Sequence, residues 1–245
     1  MGKACAFPIQ LGRSCWLDSF KHKLRLWVGP GFVRFFATPT GMPMAKLIAV
    51  LGNVGAGKTT FAQRLCQFAS YTLAREDHAD RAFHHAFAQG NYSAALANQM
   101  DYLLVRAEQE AAIRSGTSVG VLDGGLEQDF FVFTRYFAHS GLLTPPEYAL
   151  CQRLYHFVRG TLPQPDLLIY LHAPVEVLLE RYTRRQRTVE VIKHADIALL
   201  ERFVQDGLAA LAAVPTLQVD ASADDPTFAA TLATLREPLQ RIVGP

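Results

Sequence analysis

Residues 52–60 read Gly-Asn-Val-Gly-Ala-Gly-Lys-Thr-Thr, and Gly52 to Thr59 fits G-x-x-x-x-G-K-[ST], the pattern of a loop that wraps phosphate. Gly52, Gly55 and Gly57 permit backbone angles and approaches that a Cβ would block. The backbone N–H groups of Asn53, Val54, Ala56 and Thr60 can then converge with theirs on an anion at the positive end of the following helix. Lys58 supplies a mobile point charge, and the Thr59 hydroxyl suits the shell of a Mg²⁺ ion. This loop reads as a binder of a nucleoside triphosphate, and by itself it does not say what becomes of the phosphate.

Phosphoryl transfer needs three further parts: a carboxylate for the metal, a base for the acceptor hydroxyl, and cations over the moving group. Asp123 suits the metal and Glu76 the base, both at the ends of expected strands. Arg181, Arg185 and Arg187 suit the cations, and Arg181 and Arg185 stand i, i+4 on one helical face. The competing reading of Arg184-Arg-Gln-Arg187 is a solvated helix end. Gln99 and Arg106 lie seven residues apart, two turns along one face. They are either a surface pair or a hydrogen-bonding edge for a flat heterocycle, since Gln offers donor and acceptor together.

These residues need strands and helices to place them. Leu47–Leu51 is an unbroken apolar run, as in a strand buried on both faces. Further strands are expected over 71–75, 118–123, 167–171 and 217–220. Helices are expected over 59–68, 79–89, 93–115 (with Leu96, Leu103, Leu104 and Ala111 inward), 127–139, 145–159, from 175 into the basic segment, 195–213 and 226–243. Strands alternating with helices predict a parallel sheet with its site at the C-terminal strand edge.

The chain has 245 residues, half of them hydrophobic and 19% charged, with a net charge of +2. That suits one α/β domain with a sizeable core. No apolar run approaches the ~18 residues of a membrane span. The positive charge is concentrated in residues 1–43, which hold six Lys/Arg against one acid. The rest is mildly acidic, so the composition argues against nucleic-acid binding. Residues 1–43 are expected to be an extension outside the fold, disordered or preceding the true start at Met44, with organellar targeting the alternative; residues 44–245 form the domain. Cys5, Cys15, Cys66 and Cys151 show no metal spacing. Cys66 and Cys151 read as buried thiols, which points to a reducing, cytoplasmic setting.

Taken in order, these residues resemble the deoxyribonucleoside kinase family, which includes deoxycytidine, deoxyguanosine and deoxyadenosine kinases. The resemblance runs from about Lys46 to Ile242. It rests on the loop at Gly52–Thr60, Glu76 after the second strand, and Gln99-Met-Asp-Tyr-Leu-Leu-Val-Arg106 as a Q-x₆-R helix. Asp123-Gly-Gly-Leu-Glu-Gln-Asp129 stands at a [DE]-R-S motif, and Arg181-x₃-Arg185-x-Arg187 followed by Glu190 matches an arginine-rich lid. It implies a three-layer α/β/α P-loop kinase fold with a five-stranded parallel sheet, ATP and Mg²⁺ as cofactors, and a homodimer serving nucleotide salvage.

By the same resemblance Glu76 takes the proton from the 5′-hydroxyl, and Gln99, Arg106 and Asp129 select the base. Glu190 binds the sugar 3′-hydroxyl. Deoxyadenosine, deoxyguanosine or deoxycytidine is then favoured over thymidine. The chain departs from the pattern at Gly124 and Gly125, where the family has Arg and Ser. That Arg meets the catalytic glutamate, so its loss is expected to slow turnover, unless Arg75 or Arg81 reaches in or Gly124→Arg restores it. Two alternatives stay open: a non-catalytic nucleotide-binding subunit of a heteromeric kinase, and a P-loop kinase for another small acceptor.

Overall fold

A computed structural model describes residues 44–74, 81–184 and 192–244. Glu76, Arg185, Arg187, Glu190 and the extension 1–43 lie outside the described residues, as does Arg75. Strand β1 is Leu47–Gly52, every residue of it buried. Helix α1 is Lys58–Ala69, followed by β2 (Thr72–Ala74), α2 (Ala82–Ala88), α3 (Ala95–Arg114) and β3 (Gly120–Asp123). Next come α4 (Gly125–Gln128), a π-helical segment Asp129–Thr134, α5 (Arg135–His139) and α6 (Pro145–Arg159). Strand β4 (Leu167–His172), α7 (Val175–Arg184), α8 (Ile197–Ala210), β5 (Thr216–Asp220) and α9 (Ala229–Val243) complete the fold.

The sheet runs β2-β3-β1-β4-β5 with all pairs parallel. Strand alternation sends β1 side chains to opposite faces. Ile48 and Val50 join Phe61, Leu65, Leu178 and Leu232 in one core, while Ala49 and Leu51 face Leu168, Leu211 and Val214. A third cluster joins α2, α3, α6 and α8 around Leu103, Phe130, Tyr155 and Phe203. The order places β1, with its loop, between β3 and β4. Val50 pairs with Asp123 and Gly52 with Leu171, so the loop and Asp123 share the C-terminal edge.

Local chemistry explains the boundaries. At α6, Thr144 and Glu147 form a reciprocal capping box with Pro145 at the first turn, and the Thr144 N–H donates to Glu147 Oε2 at 2.7 Å. This helix covers the expected residues. The expected helix 127–139 instead starts at Gly125 and is π-helical over Asp129–Thr134. One apolar expectation on α3 is corrected: Leu104 is 45% exposed, whereas the polar residues Asn98, Gln99, Arg106, Glu110 and Arg114 are buried. The inward stripe of this helix is polar because it lines a site and an ion-pair cluster rather than a uniform core.

Candidate active site

The loop between β1 and α1 is fixed from both sides. Gly52 has φ +153°, and a Cβ added there would stand 2.5 Å from the Leu171 carbonyl oxygen, so only glycine fits. The Gln128 side chain grips the same residue: Gly52 N–H donates to Gln128 Oε1 at 3.1 Å, and Gln128 Nε2 donates to the Gly52 carbonyl at 2.9 Å. Asn53 is fully buried, and its Nδ2 donates to the Ile197 carbonyl and to Glu201 Oε2, both at 2.9 Å. Glu201 also accepts from the Tyr170 hydroxyl of β4 at 2.5 Å. Lys58 Nζ donates to the Asn53 carbonyl at 2.9 Å, which keeps its stem folded over the loop.

The two residues expected at the metal do meet. Thr59 Oγ1 donates to Asp123 Oδ2 at 2.5 Å. A hydroxyl and a carboxylate beside a phosphate loop are hard oxygen donors that suit Mg²⁺, which takes one or two carboxylates and fills its octahedron with water and phosphate oxygens. Among the described residues no group of three or more His, Cys, Asp or Glu could hold a metal ion by itself.

Gln99, Arg106 and Asp129 also come together. Arg106 Nε donates to Asp129 Oδ2 at 2.8 Å, with both side chains almost wholly buried. Its Nη1 donates to Gln109 Oε1 at 3.1 Å. The Thr134 hydroxyl lies between the two halves of this wall, 3.0 Å from Gln99 Oε1 and 2.8 Å from the Asp129 carbonyl. Phe87, fully buried, stacks on Phe137 at 5.0 Å and closes the wall on the α2 side.

Arg181 sits beside the loop: its Cβ would be 3.6 Å from a Cβ added at Gly55. Its guanidinium donates to the carbonyls of Ala221 at 2.6 Å, Ser222 at 3.2 Å and Ala223 at 2.7 Å, so here it ties α7 to the segment after β5. Arg184 pairs with Asp224 on the same segment, 3.2 Å. Downstream, Phe228 lies against Gly57 and packs edge-on against Phe61 at 5.2 Å. The Tyr182 hydroxyl donates to the Ile192 carbonyl.

Among the described residues, a cation that neighbours Gly124 is Arg106. A Cβ added at Gly124 would lie 3.6 Å from Arg106 Nη2. Arg81 is committed elsewhere: it lies 4.0 Å over the Tyr102 ring and 3.3 Å from Asp101.

Two features carried no motif. Gln128 is one. The other is a buried cluster in which Arg159 Nη2 donates to Glu110 Oε1 at 2.6 Å and Arg159 Nε lies 2.9 Å from Glu127 Oε1. Burial, then the neighbouring Glu110, pushes the Glu127 carboxyl up to about 7 against the opposing pull of Arg159. Burial also raises the Glu110 carboxyl from its ordinary value, against the pull of Arg159. The available signal was Glu127 on the flank of the aromatic run from Phe130 to Phe137, because a charged residue is buried only when paired.

The deoxynucleoside kinase family model matches residues 48–238. The chain is 28% identical over 167 residues to deoxyguanosine kinase of Bacillus subtilis (strain 168), covering 67% of this chain and 78% of that one. It is 27% identical over 156 residues to deoxyadenosine/deoxycytidine kinase of the same organism, covering 61% and 70%. The fold superposes on a structure of deoxyadenosine kinase from M. mycoides with products dCMP and a flexible dCDP bound, with TM-score 0.68 and 20% identity, covering 80% of this chain and 100% of that one. With the phosphate loop, Asp123 and the buried Arg106–Asp129 pair at one sheet edge, the match across most of its length shows that this chain belongs to the deoxynucleoside kinase family, the phosphotransferases that phosphorylate a hydroxyl of deoxynucleosides.

Proposed function

We propose that the chain transfers the γ-phosphoryl group of ATP to the 5′-hydroxyl of deoxyadenosine, deoxyguanosine or deoxycytidine in preference to thymidine. The carrying observation is the buried pair Arg106–Asp129 next to Gln99. Adenine, guanine and cytosine each present an exocyclic amine, which a carboxylate accepts. Thymine presents carbonyl oxygens instead, which a carboxylate repels.

The loop N–H groups and Lys58 hold the triphosphate, and Thr59 with Asp123 hold Mg²⁺, which supplies charge neutralisation on the phosphates when bound. Glu76 takes the hydroxyl proton, Glu190 binds the 3′-hydroxyl, and Arg181, Arg185 and Arg187 stabilise the transferred charge. These roles follow the family pattern, and Arg181 must first leave the Ala221–Ala223 carbonyls to take its part. The two helices α3 and α6 leave Leu104, Leu150 and Phe157 exposed, which supports a homodimer.

The test is a panel of the four deoxynucleosides with Mg-ATP, alongside Lys58→Ala and a chelator control. Turnover of the amine-bearing substrates that is lost with Lys58→Ala and with EDTA is expected. ATP binding with no transfer to any of the four would favour a non-catalytic subunit instead. In the same panel, Asp129→Ala should raise the thymidine share at least severalfold.

A further inference from the structure

The carboxamide of Gln128 contacts the backbone, and it does so twice at one residue. Both the N–H and the C=O of Gly52 are engaged, at 3.1 and 2.9 Å. Gly52 is the last residue of β1 and the first of the phosphate loop. Its neighbourhood allows no slack, since the Leu171 carbonyl closes one side. Gln128 is also buried and comes from the acceptor side of the cleft, one residue before Asp129. Gln128, which grips the phosphate loop, and Asp129, which pairs with Arg106, are therefore consecutive residues at the junction of α4 and the π-helical segment.

We propose that Gln128 is a positioning residue that sets the register of the phosphate loop against the acceptor wall by pairing both backbone groups of Gly52. An amide is suited to this because it is donor and acceptor in one plane. A neutral carboxylic acid has the same pattern, whereas a carboxylate turns an acceptor toward the Gly52 carbonyl and loses that bond. Gln128→Glu is thus a switchable version of the residue. The charged groups around it are Glu127 and Asp129 on its own helical run, Arg106 from α3, and behind Glu127 the pair Glu110 and Arg159. From α8 the facing residues, Val204, Gly207 and Leu208, are uncharged.

The proposal rests on ATP as donor, and wild-type turnover with Mg-ATP tests that reading separately; where another triphosphate is used, the comparison is made with it. Steady-state kinetics are measured for wild type, Gln128→Leu and Gln128→Glu between pH 6 and 8, with thermal melting of each. The clamp predicts that Gln128→Leu raises the KM for the triphosphate about tenfold while the deoxynucleoside KM stays within twofold. It also predicts that Gln128→Glu matches Gln128→Leu at pH 8 and recovers toward wild type at pH 6. An unchanged triphosphate KM in a folded Gln128→Leu protein overturns it. If Gln128→Leu does not fold, a Gln128→Glu to wild-type ratio that is flat across pH overturns it equally, since a purely structural role would not follow the proton.

Discussion

At Gly124 the backbone holds φ +88° and ψ −79°, and its N–H donates to the Val50 carbonyl at 2.9 Å. L side chains avoid this conformation, so the position is closed to arginine for a backbone reason. Gly124→Ala should destabilise by about 1–3 kcal/mol in urea unfolding. Gly124→Arg carries the same backbone strain and brings a second guanidinium beside Arg106 Nη2, so assays of that variant are expected to show no gain in turnover. Glu127 shows a second residue-scale effect. Its folded carboxyl titrates at about 7, above its unfolded value, through burial and then Glu110. Its protonated form therefore favours the fold: the contribution is present at acid pH and is lost as pH rises toward 7 and beyond. Glu127→Gln should raise Tm relative to wild type at pH 8 more than at pH 5.5, with Glu110 left to balance Arg159. A difference independent of pH would contradict this.

Elements are held together at the opposite sheet edge by Asp166, just before β4. It accepts from Lys46 Nζ at 2.8 Å, from the Leu47 N–H at 2.9 Å and from Arg114. Arg114 extends the clasp to the carbonyls of Ala45 at 3.0 Å and Gln164 at 2.7 Å, so α3, β1 and β4 meet there. Burial opposes ionisation of Asp166, but hydrogen bonds from Lys46, Leu47 and Arg114 outweigh it and draw the carboxyl below its usual range. Its stabilisation is present above the unfolded value and is lost as pH falls through the folded one. Asp166→Asn should cost about 3 kcal/mol by leaving buried Arg114 short of its counter-charge, with the gap to wild type narrowing on acidification in denaturant melts. Elements of this kind were legible to different degrees. β1 was clear, since an unbroken apolar run is a local signal, and the expected 145–159 matches α6, whose start is fixed locally by Thr144 and Glu147. α3 was half legible: its length could be read, but apolar periodicity put Leu104 inward and was silent on Glu110 and Arg114, whose burial depends on partners from α6 and from the segment before β4. Gln128 left no trace, because its partner is backbone from another strand and backbone has no sequence.

For the whole molecule, the parallel sheet followed from the alternation of strands and helices, and the loop between β1 and α1 was marked by one motif. The pairing of Arg106 with Asp129 takes tertiary contact to see. Among the described residues no helix is long and apolar enough to cross a membrane. Leu104 and Phe157, 45% and 66% exposed on α3 and α6, make the association prediction concrete. Light scattering should give twice the monomer mass for the wild type and the monomer mass for a Leu104→Glu/Phe157→Glu double variant, with turnover retained if each protomer holds its own site. Helices α7 and α8 are tied to different parts of the fold. Arg184 joins α7 to Asp224, and the Ile197 carbonyl at the start of α8 accepts from Asn53 of the phosphate loop. Through Asn53 the position of α8 is written into the phosphate loop: a displacement of that helix costs a buried amide its partners Ile197 and Glu201.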